Sequence, residues 1–462
     1  MRRDNEFRYS RLANMLREQI VSGYIKPGQF LLSENELCKY YGMSRTSVRK
    51  SLEQLHKEGL IVKKVGQGTI VSPDFVPSPG EKRTLRILAT SPSHYVDNCL
   101  GTIIEAFQAR YPQIDVKLLH FPSFNFWDWQ RTGAELGVRP DLVLVTDRSF
   151  AESDRLDPFI DLGDKLPDLL DGFYPRIVEP FRHEGVLRAL PVTFSPVYLA
   201  YNPRLFRRFG VPEPYPGWSR EQLIEAAGQL TRDEDGDGVT DLYGLSLSSF
   251  PSRWPVVALQ NGVKFDATTS RESIVETLKL FRDVLHRKRI ATLYQPYRSK
   301  INLHAFLREK AAMVLTTSIE IAGWRSEGMT FEAKVAPLPF GPVKSTLLVA
   351  NAFMIHKDSG DPELALEFLR IALDPGLQTE LARDTGFMSC LPDVNAVVWN
   401  KRHLESLNIT GRHIENGYFL HELFADSHRL DDLSGEMELF WAGLEQPEPL
   451  ADRIYGILSG AT

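Results

Sequence analysis

Apolar residues recur at helical spacing close to the start of the chain. Leu12, Met15, Leu16 and Ile20 occupy positions i, i+3, i+4 and i+8, which lie on one face of a helix. Gly23 follows where a left-handed C-terminal cap is favoured. The pattern predicts an amphipathic first helix that ends near residue 23.

Two further helices are predicted, and only two residues join them. Ser33 and Glu36 form a capping box for the second helix, which should end near Gly42. Ser44 is a good N-cap for the third helix, whose inward positions are all apolar. Those inward positions are Val48, Leu52 and Leu55. Helices joined so tightly indicate a helix-turn-helix.

A short hairpin is predicted after the third helix. Residues 60–72, LIVKKVGQGTIVS, alternate as two strands around Gly66, Gln67 and Gly68, with Lys63 and Lys64 near the tip. A hairpin in this place acts as a wing. The first 72 residues are therefore predicted to form an α+β winged helix-turn-helix.

Charge is divided unevenly along the chain. The whole chain has 54 Lys+Arg and 60 Asp+Glu, a formal net charge of −6. Residues 1–75 hold 13 basic and 8 acidic residues, net +5, so residues 76–462 hold the remaining 41 and 52, net −11. This asymmetry suggests that the two parts bind different partners.

The outer side of the predicted third helix is basic. Arg45 and Arg49 face outward there, and the first turn of a helix offers free backbone N–H groups that suit phosphate. Arginines at this end of a recognition-type helix can bind guanine edges or phosphates in the major groove, so we predict binding to double-stranded operator DNA. The predicted DNA-binding residues are Ser33, Arg45, Thr46, Ser47, Arg49, Lys50, Lys63, Lys64, Gly66 and Gln67.

Several short motifs resemble one family of DNA-binding proteins. The motifs are SENEL (33–37), SRTSVRKSL (44–52), EGLI (58–61) and GQGTIV (66–71). On these motifs, residues 9–72 resemble the winged helix-turn-helix of GntR-type transcription regulators. The resemblance implies that Gly66 lets the wing approach the minor groove, and Leu32 and Asn35 depart from the family pattern. The residues that it implies to contact DNA are Arg45, Thr46, Ser47 and Arg49.

A Pro-rich segment separates this domain from the rest of the chain. Residues 72–83, SPDFVPSPGEKR, contain three prolines and no apolar period, which is typical of a semi-rigid spacer. Strands and helices then alternate in LRILAT, LGTIIEAFQARY, DVKLLHF and PDLVLVT, which predicts an α/β sheet with parallel strands. We predict a DNA-binding domain at 1–72, a linker at 73–84 and an effector domain at 85–462.

The order of segments in the large domain resembles a second family. Three of these segments are ALPVTFSPVYLAYNPRLFRRFGV, HAFLREKAAMVLTTSIEIAGW and LLVANAFMIHKDSGDPELALEFLRIAL. Residues from about 85 to 400 resemble the type II periplasmic-binding-protein fold of the extracellular solute-binding family, which includes maltose-binding protein. The resemblance implies two lobes with ligand between them. The ligand-binding residues that it implies, segment by segment, are His94, Asp147, Arg148, Trp254, Ser318, Trp324 and Asn351.

The two parts together predict a multidomain protein, an α+β winged helix-turn-helix followed by a two-lobed α/β periplasmic-binding-protein-like domain. Its predicted function is to regulate transcription, with operator affinity changed by a bound small solute. Because Trp and Tyr rings stack on sugars, we expect a sugar or oligosaccharide. The net charge of −11 favours a neutral one. A homodimer is predicted, since a two-fold dimer on a palindrome doubles the DNA contacts.

An acidic loop, RDEDGDGVTDLYG, resembles the first nine positions of a calcium loop. Its predicted ligands are Asp233, Asp235, Asp237, the carbonyl of Val239, and Asp241. The twelfth position is Gly244 instead of the bidentate Glu. A structural Ca²⁺ or Mg²⁺ site is one interpretation, and a hydrated acidic turn is the other.

Other classes of protein are disfavoured by what the sequence lacks. The start, MRRDNEFRYS, has no apolar run of a secretory signal, and no stretch reaches the roughly 18 apolar residues of a membrane span, so we expect a cytoplasmic protein. Three distant cysteines argue against disulfides or a thiolate metal site.

Catalysis is not expected, because no H-E-x-x-H, G-x-S-x-G or Gly-rich phosphate cradle occurs, and no organic cofactor is predicted. The alternative is a winged helix fused to a pyridoxal-phosphate-dependent aminotransferase-like domain, which a visible absorbance band would reveal. A carbohydrate-binding protein with incidental DNA affinity is a third possibility, indicated if ligand leaves operator binding unchanged.

Overall fold

The structure is a computed structural model. It describes residues 12–13, 16–17, 20, 25, 27–41, 43–64, 68–75, 83–122, 125–135, 139–294, 304–414, 416–424 and 427–460. Gly66 and Gln67 of the predicted wing tip lie outside the described residues, as do Gly23, Gly42 and residues 76–82 of the predicted linker.

The strands and helices follow one another in the order that alternating apolar segments predict. The strands are β1 (Ile61–Lys64), β2 (Gly68–Val71), β3 (Arg83–Ser91), β4 (Ile114–Pro122), β5 (Leu142–Thr146), β6 (Arg182–His183), β7 (Val186–Leu187), β8 (Leu190–Pro196), β9 (Tyr198–Tyr201), β10 (Tyr243–Ser248), β11 (Ala291–Tyr294), β12 (Ala311–Thr316), β13 (Lys334–Ala336), β14 (Thr346–Ile355), β15 (Ile409–Thr410), β16 (His413–Ile414) and β17 (Gly417–Phe419). The helices are α1 (Glu34–Tyr41), α2 (Arg45–Lys57), α3 (Gly101–Arg110), α4 (Phe126–Glu135), α5 (Asp147–Ala151), α6 (Leu162–Lys165), α7 (Pro167–Leu170), α8 (Pro175–Val178), α9 (Pro203–Arg208), α10 (Arg220–Leu230), α11 (Pro255–Gln260), α12 (Arg271–Arg282), α13 (Ser318–Ser326), α14 (Pro362–Ala372), α15 (Pro375–Thr385), α16 (Pro392–Val398), α17 (Lys401–Ser406), α18 (Leu420–Leu423), α19 (Ser427–Trp441) and α20 (Pro447–Ser459).

The chain divides into two compact units. The first comprises Met1–Pro92, Ile104–Val143 and Ile355–Ala365, and the second comprises Ser93–Ile103, Leu144–Met354 and Leu366–Thr462. Among the residues that the structure describes, no helix is long and apolar enough to cross a membrane.

The N-terminal part of the first unit is a winged helix-turn-helix, as predicted. The described residues among 12–20 are helical, and three residues, 42–44, separate helices α1 and α2, one more than the sequence predicts because Ser44 is the N-cap and not part of α2. Ser44 caps α2 by accepting a hydrogen bond from the backbone N–H of Ser47. Strands β1 and β2 pair antiparallel from Ile61↔Val71 to Lys64↔Gly68. One apolar core, with Leu12, Leu37 and Val48 among its members, holds the helices and the wing together.

The rest of the first unit contains a parallel strand pair. Strands β3 and β4 run parallel from Arg83↔Ile114 to Ser91↔Pro122. Asp141, 3% exposed, lies beside β3, and its carboxylate accepts hydrogen bonds from the Arg86 N–H at 2.8 Å and the Ser359 hydroxyl at 2.7 Å. A buried carboxylate with this many donors ties together segments that are far apart in sequence.

The second unit is built around a five-stranded sheet in the order β11-β10-β12-β9-β13. Strand β10 runs parallel to β11 and β12, whereas β9 runs antiparallel to β12 and β13. Beside this sheet, β14 pairs antiparallel with β8 and parallel with β17. The sheets are therefore mixed, although the sequence pattern indicated parallel strands.

Close packing in this unit depends on single glycines. Helix α10 lies against β10, where a Cβ on Gly244 would come within 2.1 Å of the Ala227 carbonyl oxygen. A large apolar core that includes Trp218, Phe281 and Trp441 fills the space between the sheet and helices α10, α12, α19 and α20.

Candidate functional site

The predicted DNA-binding face carries two arginines that share one carboxylate. Arg45 Nε lies 3.2 Å and Arg49 Nε 2.8 Å from Oε2 of Glu34, which belongs to α1. The hydrogen bond from Arg49 is the main reason that the pKa of Glu34 lies below its usual range, and the bond from Arg45 adds to it. Both arginine side chains remain more than half exposed. Glu34 thus holds two exposed cations side by side at the N-terminal end of α2.

The other predicted DNA contacts fall into two groups. Thr46, Lys50, Lys63 and Lys64 are exposed, as a DNA-contacting surface requires. Ser47 is 6% exposed, and its hydroxyl lies 2.9 Å from that of Ser44 within the helix cap; this burial favours a structural role over the predicted DNA contact.

Ser33 has a structural role as well. Its hydroxyl accepts from the backbone N–H of Glu36 at 3.3 Å, and the Glu36 carboxylate accepts from the Ser33 N–H at 2.8 Å. These two bonds are the capping box that the sequence predicts for α1. A DNA contact by Ser33 stays a prediction.

The second unit contains a cavity of about 570 Å³ at the edge of its five-stranded sheet. We call it the sheet-edge cavity. Strands β9 and β13 form one wall, α13 and α17 form another, and residues 385–388 contribute a third. Its volume suits a small ligand, since ligand pockets typically span about 300–1,000 Å³. The aromatic residues that line it are Tyr198, Tyr201, Tyr215 and Trp399.

An acidic residue of the sheet-edge cavity is bound to three donors. Glu213 accepts a hydrogen bond from the Tyr201 hydroxyl at 2.9 Å and from Lys334 Nζ at 2.9 Å. Arg207 Nη1 lies 3.3 Å from its other oxygen. The bond from Lys334 is the main reason that the pKa of Glu213 lies below its usual range. This carboxylate is therefore charged and already satisfied at neutral pH.

A stacked aromatic pair lies at the opposite wall. The rings of Trp399 and His403 are 4.7 Å apart and 14° from parallel. Burial lowers the pKa of His403, so its imidazole is neutral at pH 7. Asn400 helps to hold His403 in place, because its side chain caps α17 by accepting a hydrogen bond from the backbone N–H of His403 at 2.9 Å.

Beside the cavity lies a buried polar group that sequence reasoning missed. Arg253, 8% exposed, pairs with Glu320 at 2.8 Å, and the Thr316 hydroxyl donates to the same carboxylate at 2.8 Å. Burial lowers the pKa of the nearby His304 to about 4. The sequence signal for this polar group is a single arginine in the otherwise apolar segment RWPVVAL. The residue predicted to bind ligand is instead the tryptophan that follows it, Trp254.

Ser318 lies two residues before Glu320 in the chain and lines the sheet-edge cavity. Its backbone N–H donates to the Ser195 hydroxyl at 2.9 Å. Its own hydroxyl is buried and has no hydrogen-bond partner among the described residues. An unsatisfied hydroxyl of this kind is a candidate ligand contact.

Asp147 and Asn351, two of the predicted ligand residues, lie close together. Asp147, 5% exposed, accepts from the backbone N–H of Ala350 at 2.9 Å, and Asn351 is the next residue of β14. Burial raises the pKa of Asp147 to about 7, and the bond from Ala350 opposes that rise. Arg148, by contrast, is exposed and pairs with Glu152 at 2.6 Å.

The two predicted sugar-stacking tryptophans are packed inside the second unit. Trp254 is 5% exposed and makes edge contacts with Phe265 and Trp441 in the apolar core. Trp324 is 2% exposed and packs on His304, with ring centroids 4.7 Å apart. This burial favours packing over the predicted stacking on a saccharide.

His94 lies against the same helix as Trp324. A Cβ placed on Gly323 of α13 would come within 2.1 Å of His94 Nδ1, so the imidazole packs directly on the helix backbone. His94, Ser318 and Trp324 therefore lie on or against α13, and of the predicted ligand residues only Ser318 lines the sheet-edge cavity.

The acidic loop is exposed and pre-shaped by its own hydrogen bonds. Asp233, Asp235 and Asp237 can each place a ligand oxygen within 4.8 Å of the others. The Asp241 carboxylate accepts a hydrogen bond from the Glu234 N–H at 2.9 Å and lies 3.6 Å from Lys310. The positive charge of Lys310 would compete with a metal ion for this carboxylate. Val239 is 67% exposed at the end of the loop. These oxygens suit Ca²⁺, which stays a prediction, as does the carbonyl ligand from Val239.

If the loop holds a cation, a chelator should lower the melting temperature and millimolar CaCl₂ should restore it, because binding to the folded state alone adds stability. Differential scanning fluorimetry of the wild type and an Asp233→Asn/Asp235→Asn variant would measure this, with the variant expected to be unresponsive. Identical wild-type curves with chelator and with calcium would remove the metal site.

Comparisons with known proteins identify two families in this chain. The model of bacterial extracellular solute-binding proteins matches residues 102–405, and that of the bacterial regulatory proteins of the gntR family matches residues 8–71. An arabinose metabolism transcriptional repressor of Geobacillus stearothermophilus is 35% identical over 89 residues, which are 19% of this chain and 24% of that protein. The chain spans less than half the length of this and similar curated relatives.

Solved structures share the fold of the large domain. An ABC substrate-binding protein of Listeria monocytogenes, in complex with cycloalternan, has a TM-score of 0.65 at 17% identity, covering 82% of this chain and 99% of that chain. A solute-binding protein of Thermotoga lettingae, bound with α-D-tagatose, has a TM-score of 0.67 at 16% identity, covering 81% and 100%. Neither matched family description names an enzyme. The chain belongs to the bacterial extracellular solute-binding protein family and carries, at its N-terminus, the winged helix-turn-helix of the GntR-type regulators.

Proposed function

We propose that this protein is a transcription regulator that binds a saccharide in its solute-binding domain and changes its affinity for operator DNA in response. The observation that carries the proposal is the union, in one chain, of a DNA-reading domain with a basic outer face and a fold used for solute binding. A relative named as an arabinose metabolism repressor and structures bound to saccharides support the class of ligand. Operator DNA would place the protein in the cytoplasm.

The sheet-edge cavity supports the binding half of the proposal. The aromatic side chains of Tyr215 and Trp399 suit sugar rings, and the Ser318 hydroxyl has no hydrogen-bond partner among the described residues. The ligand changes operator affinity only if the DNA-bound and free states of the protein bind it differently, and this coupling is reciprocal. We propose that the protein acts as a homodimer, because one winged helix contacts only a short half-site.

The test measures the affinity of the protein for operator DNA by fluorescence anisotropy. The operator sequence would first be selected from random DNA. A saccharide that binds the protein should shift operator affinity by about 5- to 150-fold, and operator should shift saccharide affinity equally. Light scattering of the complex should give two chains per palindromic site. A saccharide that binds with no change in operator affinity would refute the sensing mechanism, and a single chain per site would refute the dimer.

A further inference from the structure

Two arginines line the sheet-edge cavity without a charge partner among the residues that the structure describes. Arg325, in the third turn of α13, and Arg402, in α17, are both exposed and make no ion pair with any residue that the structure describes. Every other basic group lining the cavity is accounted for, because Lys334 is bound to Glu213 and His403 is neutral at pH 7. Two positive charges are therefore available to a ligand.

The acidic groups of the cavity do not neutralise them. Glu213 is already bound to Tyr201, Arg207 and Lys334. The remaining acidic residue of the lining is Glu332, which is exposed. The lining thus contains three basic side chains, Arg325, Lys334 and Arg402, against two acidic ones, while the rest of the chain beyond residue 75 is net negative.

A glycine fixes where one of these arginines lies. Gly386 has φ +80°, a left-handed conformation, and a Cβ there would come within 2.9 Å of Arg325 Nη1. The guanidinium therefore rests against the bare backbone of residue 386, on the wall of the cavity formed by residues 385–388. This placement leaves its other N–H groups free for a planar acceptor such as a carboxylate or phosphate.

We propose that the sheet-edge cavity takes a saccharide bearing one acidic group, a phosphate or a carboxylate, and that Arg325 and Arg402 recognise that group. The inference rests on the proposed function and names its ligand class. It replaces the neutral saccharide expected from net charge. Charges spread over a domain are screened beyond about 10 Å, whereas an arginine in the cavity contacts the ligand directly. The sugar ring would lie on the aromatic side chains of the same lining.

The experiment is isothermal titration calorimetry of the full chain with a panel of sugar phosphates, sugar acids and their neutral parents, and with inorganic phosphate alone. At least one acidic sugar should bind at least tenfold more tightly than its neutral parent, with affinity falling as salt rises. If sugar phosphates bind and sugar acids do not, the acidic group is a phosphate. The opposite result would identify the acidic group as a carboxylate. Arg325→Gln and Arg402→Gln should each raise Kd about tenfold or more, since a hydrogen bond to a charged group is lost.

The control is Arg308→Gln, which removes an exposed arginine that does not line the cavity and should leave Kd unchanged. Circular dichroism would verify that each variant is folded. If neutral sugars bind as tightly as acidic ones, or if the Arg325→Gln/Arg402→Gln variant keeps wild-type affinity, the inference is overturned while the proposed saccharide sensor stands. If no saccharide of either kind binds, the saccharide sensor itself fails.

Discussion

A protein carrying Arg45→Ala and Arg49→Ala is expected to lose most of its operator binding, by about 1–3 kcal/mol for each arginine that contacts a base edge. Both side chains are more than half exposed and lie in the first two turns of α2. Glu34 holds the two guanidinium groups together, so they are expected to meet DNA as a pre-arranged pair. Fluorescence anisotropy with the selected operator would measure the loss.

The matched control is Lys57→Ala. Lys57 ends the same helix but lies about 18 Å from Arg45 along its axis, given the rise per residue of a helix. It is exposed and is 3.9 Å from Glu53, so its removal takes away one positive charge, half of what the double variant loses, without touching the predicted contact surface. Saccharide binding by the double variant should stay at the wild-type level. A loss for Lys57→Ala of half the double variant's loss or more would mean that general charge, not the N-terminal end of α2, determines binding.

The winged helix-turn-helix could be predicted because its signals are local. The capping box at Ser33 and the N-cap at Ser44 fix two helix starts, and each involves residues three positions apart. Ser47 is predicted to contact DNA because it lies in the basic first turn of α2. In the structure its hydroxyl is hydrogen-bonded to the hydroxyl of Ser44. A short polar side chain at this position suits the cap and the DNA equally well, so spacing alone does not decide between them.

The candidate ligand site could be predicted less completely than the winged helix-turn-helix, because its contacts join residues far apart in the sequence. The order of strands and helices indicated the fold of the large domain, but Trp254 and Trp324 could not be told from core residues without the helices that bury them. Arg253 and Glu320 are 67 positions apart in the sequence and come into contact only in the folded protein. Arg325 gains its place from Gly386, 61 residues later. Pairings over such separations leave no periodic mark in a sequence.

Replacing one partner of the Arg253–Glu320 pair should destabilise the protein strongly. Arg253→Met leaves the Glu320 carboxylate with the Thr316 hydroxyl as its one remaining hydrogen-bond partner among the described residues. Breaking a buried ion pair costs about 3–5 kcal/mol, and we expect about 2–4 kcal/mol because a third of the Glu320 side chain is exposed. Urea unfolding followed by tryptophan fluorescence would measure the loss.

A double variant separates the lost charge partner from lost packing. Arg253→Met/Glu320→Leu removes both charges and should recover most of the loss, since an apolar pair of similar volume often replaces a buried ion pair at little cost. Burial acts to raise the pKa of Glu320, but the charge and hydrogen bond of Arg253, with the bond from Thr316, together outweigh it and keep the pKa below its usual value of 4.5. The pair's contribution to the free energy of unfolding is therefore present above about pH 4.5 and is lost as the pH falls through the folded-state pKa. The difference in free energy of unfolding between wild type and Arg253→Met should therefore narrow in acid. A gap that is the same at pH 7 and pH 3.5, or a double variant no more stable than Arg253→Met, would show that Arg253 acts through packing and not through its charge.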